Sequence, residues 1–154
     1  MTERLIFDVF VAVWFALSVF IFLYLSFVAA PYGRHSRGGW GPIVGHRFGW
    51  ILMELPTVVV FGLLFFFSDR TNQPAAIIFL VLWQFHYVYR TFVFPLLLRG
   101  QEPMAWIIPL AGVAFNTGNA YINGRWLFHF GPERCVEWLS DPRFIVGCVI
   151  FATG

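Results

Sequence analysis

The chain has 154 residues, of which 59% are hydrophobic, 21% aromatic and 12% charged, with a formal net charge of +2. A soluble domain carries roughly 25% charged residues, so water is not the main solvent here. Every Lys or Arg position is an arginine and the ten are scattered along the chain, mostly in its loops, which excludes the one-sided basic footprint of a nucleic-acid binder.

The first apolar run extends from about Leu5 to Val28. Arg4 before it and Val28-Ala29-Ala30 at its end loosely resemble a signal peptide. The run is longer than the roughly 7 to 15 residues of a signal core, and at ~1.5 Å per residue it can cross a ~30 Å hydrocarbon layer, so it reads as a retained span. A glycine-rich loop, Pro31 to Arg47, follows with Arg34, His35, Arg37, His46 and Arg47. Its glycines do not form GxGxxG and no strand precedes them, so it is not read as a dinucleotide fingerprint.

The second run covers residues 48–67 and contains Glu54 followed at once by Leu55 and Pro56, a carboxylate and a helix breaker together. The third, 74–98, holds Gln84, His86, Tyr87 and Arg90, with Pro95 near its end. The fourth, 103–122, carries Asn116 and Asn119, with Asn123 just beyond. Residues 124–142 are mixed and suit an interfacial loop or short amphipathic helix. The last run, 144–154, is too short to cross a bilayer as a helix, and the chain is expected to end inside a fifth span.

The expected fold is therefore an all-α, polytopic transmembrane helix bundle, one membrane domain with four complete spans and the start of a fifth. Arg4, Arg70, Arg125, Arg134 and Arg143 would lie on one side and Arg34, Arg37, Arg47 and Arg99 on the other, which sets no orientation. Cys135 and Cys148 have no ligand or redox spacing, and His35, His46, His86 and His129 are dispersed, so no disulfide framework and no metal site are expected.

Polar residues inside spans carry the information, because a charge near mid-bilayer costs ~2.5 to 3.5 kcal/mol on insertion scales. Counted from the edge that follows the first span, Glu54 lies about 9 Å deep, Arg90 about 12 Å, Tyr87 about 16 Å, and Asn116 and Asn119 roughly 18 to 23 Å. His86, Tyr87 and Arg90 share one helical face by their spacing, as do Asn116, Asn119 and Asn123, and Trp50 stands one turn before Glu54. Such stripes face one another or a cavity. Glu54 and Arg90 could be an ion pair that fixes helix packing, and Gln84, His86 and Asn123 read as interhelical glue. Glu54, Tyr87 and Arg90 together read as a functional site.

At these residues the sequence resembles the steroid 5α-reductase (3-oxo-5α-steroid 4-dehydrogenase) family. The matching stretches are Ala30-Pro31-Tyr32-Gly33-Arg34-His35, Trp50 with Glu54-Leu55-Pro56, His86-Tyr87 and Arg90-Thr91-Phe92-Val93. Further on come Leu98-Arg99-Gly100, Ala114-Phe115 with Thr117-Gly118-Asn119, and Asp141 with Arg143-Phe144. The resemblance implies the N-terminal portion of a seven-helix membrane enzyme that uses NADPH to reduce the double bond of an enone. It implies Glu54 and Tyr87 as the catalytic pair at the 3-keto oxygen, and Trp50, Arg90 and Asn119 as substrate-binding residues. Arg99 alone matches a cofactor-binding arginine, while Gln101 stands where relatives often carry Arg. Most NADPH contacts of the family lie beyond the residues present, so the chain alone is expected to be inactive.

The expected partners are a steroid or other lipid enone and the bilayer, in a bacterial inner membrane or the endoplasmic reticulum. Reduction of another lipid, methyl transfer to a prenylated cysteine, and a non-catalytic helix-bundle remnant are the alternatives.

Overall fold

The computed structural model describes residues 2–28, 40–100 and 102–153. The Ala30 to His35 stretch, Arg37 and Gln101 lie outside the described residues.

Helix α1, Glu3–Phe27, exposes apolar side chains along almost its whole length and buries only Phe7. A two-residue strand β1, Ile43–Val44, leads into α2, His46–Phe66. Helix α3, Pro74–Val88, continues through a π-helical turn, Tyr89–Val93, into α4, Phe94–Leu97. Strand β2, Met104–Ala105, leads into α5, Ile107–Arg125, which a second π turn, Trp126–Phe130, prolongs. A short 3-10 turn, Val136–Ser140, precedes α6, Pro142–Thr153.

Three helical stretches, Glu3–Phe27, His46–Phe66 and Pro74–Leu97, are long and apolar enough to cross a membrane. The chain is an all-helical membrane protein but for one small departure: β1 and β2 pair antiparallel, Ile43 with Ala105 and Val44 with Met104. That pairing moves the start of the fourth helix from the expected residue 103 to Ile107, because Met104 and Ala105 direct their backbone groups to β1. Helix α5 has 19 residues, about 28 Å, and its asparagines dilute its apolar character.

The β1–β2 pair sets the starts of α2 and α5 side by side, and the two helices run parallel. Gly112, Asn116, Ala120 and Gly124 recur every fourth residue on the α5 face toward α2. A Cβ on Gly112 would lie 2.6 Å from Met53 Cβ, and one on Gly124 2.8 Å from Leu64 Cδ1. Small residues let two backbones approach where lipid supplies no hydrophobic drive between helices. Helix α3 runs antiparallel to α2, and Phe61 stacks on Trp83 at 4.2 Å within a cluster that includes Phe65, Ala76, Ala120 and Phe128.

Helix α1 leans antiparallel on α5, where Trp14 covers Gly118 and Phe7 meets Phe130 at 4.8 Å. Arg125 pairs with Glu3, and Arg4 with Asp8 at 3.0 Å. Arg70, itself buried, donates to the carbonyls of Leu127 at 2.9 Å, His129 at 3.2 Å and Gly131 at 2.7 Å. It thereby caps groups that a helix C-terminus leaves unsatisfied.

Gly112→Val drives side-chain atoms into Met53 and is expected to lower stability by about 1 to 3 kcal/mol. Gly147→Ala, inside α6 and with nothing within 4 Å, meets no clash and is expected to raise stability by about 0.5 to 1 kcal/mol. Reversible unfolding in mixed detergent micelles measures both.

Candidate functional site

The site begins at Pro56, which has no N–H to give the carbonyl four residues before it. Around this break α2 is tied to both neighbours. Asn116 of α5 donates to Met53 O at 2.6 Å. From α3, Trp83 Nε1 donates to Thr57 O at 3.0 Å and Gln84 Nε2 to Val58 O at 2.9 Å. Interhelical bonds in a membrane contribute ~0.6 to 2 kcal/mol each, so together they fix how α2 sits between α3 and α5.

Two residues before the proline stands Glu54, with only 3% of its surface exposed. Its Oε1 accepts from Arg90 Nε at 2.7 Å and its Oε2 from Asn116 Nδ2 at 3.4 Å. The Glu54 side chain is buried while that of Arg90 is 41% exposed, so the pair joins an enclosed carboxylate to a cation with an open side.

Arg90 owes its setting to a second proline. In the π turn Phe94 N–H bonds to Tyr89 O, five residues back. The same register would give Arg90 O to the N–H of residue 95, and Pro95 has none. Trp50 supplies the missing donor, its indole Nε1 reaching Arg90 O at 3.1 Å. The Arg90 guanidinium lies 5.2 Å from the centre of the Trp50 ring, a cation–π contact that holds the arginine over Glu54. π turns of this kind recur at functional sites.

Tyr87 stands on the same helix one turn earlier, its ring 4.7 Å from that of Trp83. Asn119 Nδ2 donates to its hydroxyl at 3.4 Å, and Asn123 Nδ2 in turn reaches Asn119 O at 2.9 Å and Asn119 Oδ1 at 3.0 Å. Tyr87 lines a recess of about 360 Å³ with Phe61, Trp83, His86, Leu127 and Phe151.

The sequence-predicted residues thus divide into two linked groups. Glu54, Arg90 and Trp50 form one, Tyr87 and Asn119 the other, and α5 bridges them through Asn116 and Asn119. Among the described residues no hydrogen bond joins Glu54 directly to Tyr87, and Trp50, 9% exposed, packs beneath Arg90. Arg99 stands apart, lining a recess of about 610 Å³ with His46, Arg47, Phe48, Leu98 and Gly100. Among the described residues no cluster of His, Cys, Asp and Glu is placed to hold a metal ion. The bond from Trp50 to the Arg90 carbonyl and that from Asn116 to Met53 escaped sequence reasoning. Pro95, five residues after Arg90, is the signal for the first; nothing local signals the second.

Arg90→Leu leaves the Glu54 carboxylate enclosed without its cation and is expected to destabilise the protein by about 3 to 5 kcal/mol. The double variant Glu54→Gln/Arg90→Leu should recover part of that loss. A double-mutant unfolding cycle checks it, with a coupling of about 0.5 to 3 kcal/mol expected.

No protein-family model matches the chain. Individual proteins do. It is similar to steroid 5-alpha-reductase DET2 of Arabidopsis thaliana, 37% identical over 137 residues that cover 84% of this chain and 52% of the plant protein. It is 32% identical to 3-oxo-5-alpha-steroid 4-dehydrogenase 1 of Bos taurus over 158 residues, 100% of this chain and 61% of the bovine protein. With 3-oxo-5-alpha-steroid 4-dehydrogenase 2 of Mus musculus it shares 36% identity over 128 residues, 81% of this chain and 50% of the mouse protein. The chain spans about half the length of the curated relatives it matches. On this similarity over most of its residues, the chain belongs to the steroid 5α-reductase family.

Proposed function

We propose that these residues form the enone-binding side of a membrane oxidoreductase that reduces the Δ4 double bond of a 3-ketosteroid or similar lipid enone with NADPH. The observation that carries the reading is a phenol and an enclosed carboxylate carried by adjacent helices, Tyr87 and Glu54, each held from behind by an asparagine of α5.

Reduction of an enone develops negative charge on the ketone oxygen as hydride reaches the β-carbon. A Tyr87 hydroxyl aimed at that oxygen stabilises the enolate by donating to it. The Glu54–Arg90 pair fixes the polar wall of the site, and Trp50 and Asn119 hold Arg90 and Tyr87 in place. A proton added at the α-carbon then completes the saturated ketone. NADPH, when bound, supplies the hydride. The recess with Arg47 and Arg99 in its wall fits a phosphate of such a dinucleotide by charge, since guanidinium groups pair with phosphate oxygens. Arg99 and Arg47 would hold that phosphate.

On this assignment α1, α2, α3 with α4, and α5 are four spans of alternating direction. Single cysteines at Pro42 and Glu102 should then react with an impermeant maleimide from one side of the membrane and a cysteine at Thr71 from the other. Labelling of Pro42 and Glu102 positions from opposite sides would remove the topology.

In a chimera that joins this chain to the C-terminal half of the Arabidopsis thaliana relative, assayed with NADPH and a Δ4-3-ketosteroid, Tyr87→Phe and Glu54→Gln should each lower turnover by about 100- to 1000-fold while leaving NADPH affinity near that of the unsubstituted chimera. Undiminished turnover by Tyr87→Phe would remove the oxyanion role.

A further inference from the structure

The asparagine ladder on α5 has a direction, and the direction decides what the Tyr87 hydroxyl can do. Asn123 faces two oxygens of the preceding turn, Asn119 O at 2.9 Å and Asn119 Oδ1 at 3.0 Å. A main-chain carbonyl only accepts, so the atom that Asn123 turns toward it must be its NH2 group. That NH2 also meets the Asn119 side chain, whose oxygen must therefore be the atom on that side. The Asn119 NH2 is left facing the other way, toward Tyr87 Oη at 3.4 Å. The phenol oxygen accepts in this contact, and its own proton remains to be given elsewhere.

We propose that Asn123 is a positioning residue: by fixing the Asn119 amide it makes Tyr87 an acceptor from α5, so that the phenolic proton is presented to the carbonyl oxygen of a bound ligand. The chain of donors runs Asn123, Asn119, Tyr87, ligand carbonyl, and its polarity is anchored by one backbone carbonyl. The inference rests on the reading of Tyr87 as the donor to a ketone, and adds what orients it.

A packing role does not account for Asn123. Both of its bonds stay within α5, to the residue four positions back, so they join no two helices. The interhelical contact of the ladder is that of Asn119 with Tyr87. The recess beside Tyr87 is walled by Phe61, Leu82, Trp83, Leu127 and Phe151, with His86 as its other polar side chain. A reversed Asn119 amide would take the phenolic proton for itself and leave an incoming ketone without this donor.

The test is ultraviolet resonance Raman spectroscopy of the tyrosine ring doublet, whose relative intensities distinguish a phenol that accepts from one that donates. Subtracting the spectrum of Tyr87→Phe isolates Tyr87 from the other four of the five tyrosines. The parent without ligand should show the acceptor pattern. Asn119→Leu, which removes the donor, should abolish it. Asn123→Leu should move the signal at least half of the way to that of Asn119→Leu, and Asn123→Ala serves if the leucine variant does not fold.

A donor pattern in the parent, or a parent-like signal in the Asn123 variants when Asn119→Leu has lost it, overturns the proposal. A second measurement separates this from the substrate reading. The infrared carbonyl stretch of a bound, carbonyl-13C-labelled 4-en-3-one steroid should be lowered in the parent and return toward its free value in Asn123→Leu. Steroid that does not bind, with the Raman response intact, would remove the ketosteroid reading and leave the orienting role of Asn123 standing.

Discussion

Glu54 is a carboxylate with almost no access to solvent, set in a helix that lies among apolar surroundings, and the arrangement of the neighbouring helices follows from satisfying it. An isolated charge in such a place is costly, so a cation and a hydrogen-bond donor must reach it from other helices. Arg90 comes from the α3 side and Asn116 from α5. Each brings its helix to a fixed depth and rotation against α2. Once Arg90 is placed, Tyr87 one turn away is placed as well, and once Asn116 is placed, so is Asn119. The phenol and its asparagine partner therefore meet because the carboxylate has already registered the three helices.

Two prolines make that registration possible. Pro56 breaks the hydrogen-bond ladder of α2 next to Glu54, at the place where α3 and α5 side chains bond to α2 carbonyls. Pro95 leaves the Arg90 carbonyl without a partner in a π register, and Trp50 fills the gap from α2. A bilayer has no water to repair such breaks, so side chains from adjoining helices must do so. Helix-breaking residues thus become points of attachment. The close approach of α2 and α5 at Gly112 and Gly124 keeps these bonds short, since a bulkier face would hold the backbones apart.

The two ends of the bundle carry different tasks. At the β1–β2 edge the helix starts are tied by backbone pairing, and the recess with Arg47 and Arg99 opens there. At the other end an aromatic cluster around Phe61, Phe65 and Phe128 closes the interior, and Arg70 caps the second π turn. The polar ladder lies between them. This division lets one end supply rigidity while the other keeps basic groups accessible.

The sequence by itself determined the solvent, the helical class and the cast of polar residues. Runs of apolar residues long enough to cross a bilayer leave few alternatives to helices, the cost of burying charge singles out Glu54 and Arg90, and helical spacing sets Tyr87 on the face of Arg90. It also brought Asn116, Asn119 and Asn123 to one face through their spacing. What only the tertiary structure decided is who meets whom. Asn116 chooses a backbone carbonyl, Trp50 turns inward to the Arg90 carbonyl, and Tyr87 bonds to Asn119 while Glu54 bonds to Arg90. The start of α5 likewise depends on a two-residue pairing with β1, which lies far earlier in the chain and sets Ile43 against Ala105 and Val44 against Met104. Helical periodicity fixes which side chains share a face, whereas the rotation of each helix against its neighbours is set by interhelical packing and hydrogen bonding, which no single segment encodes.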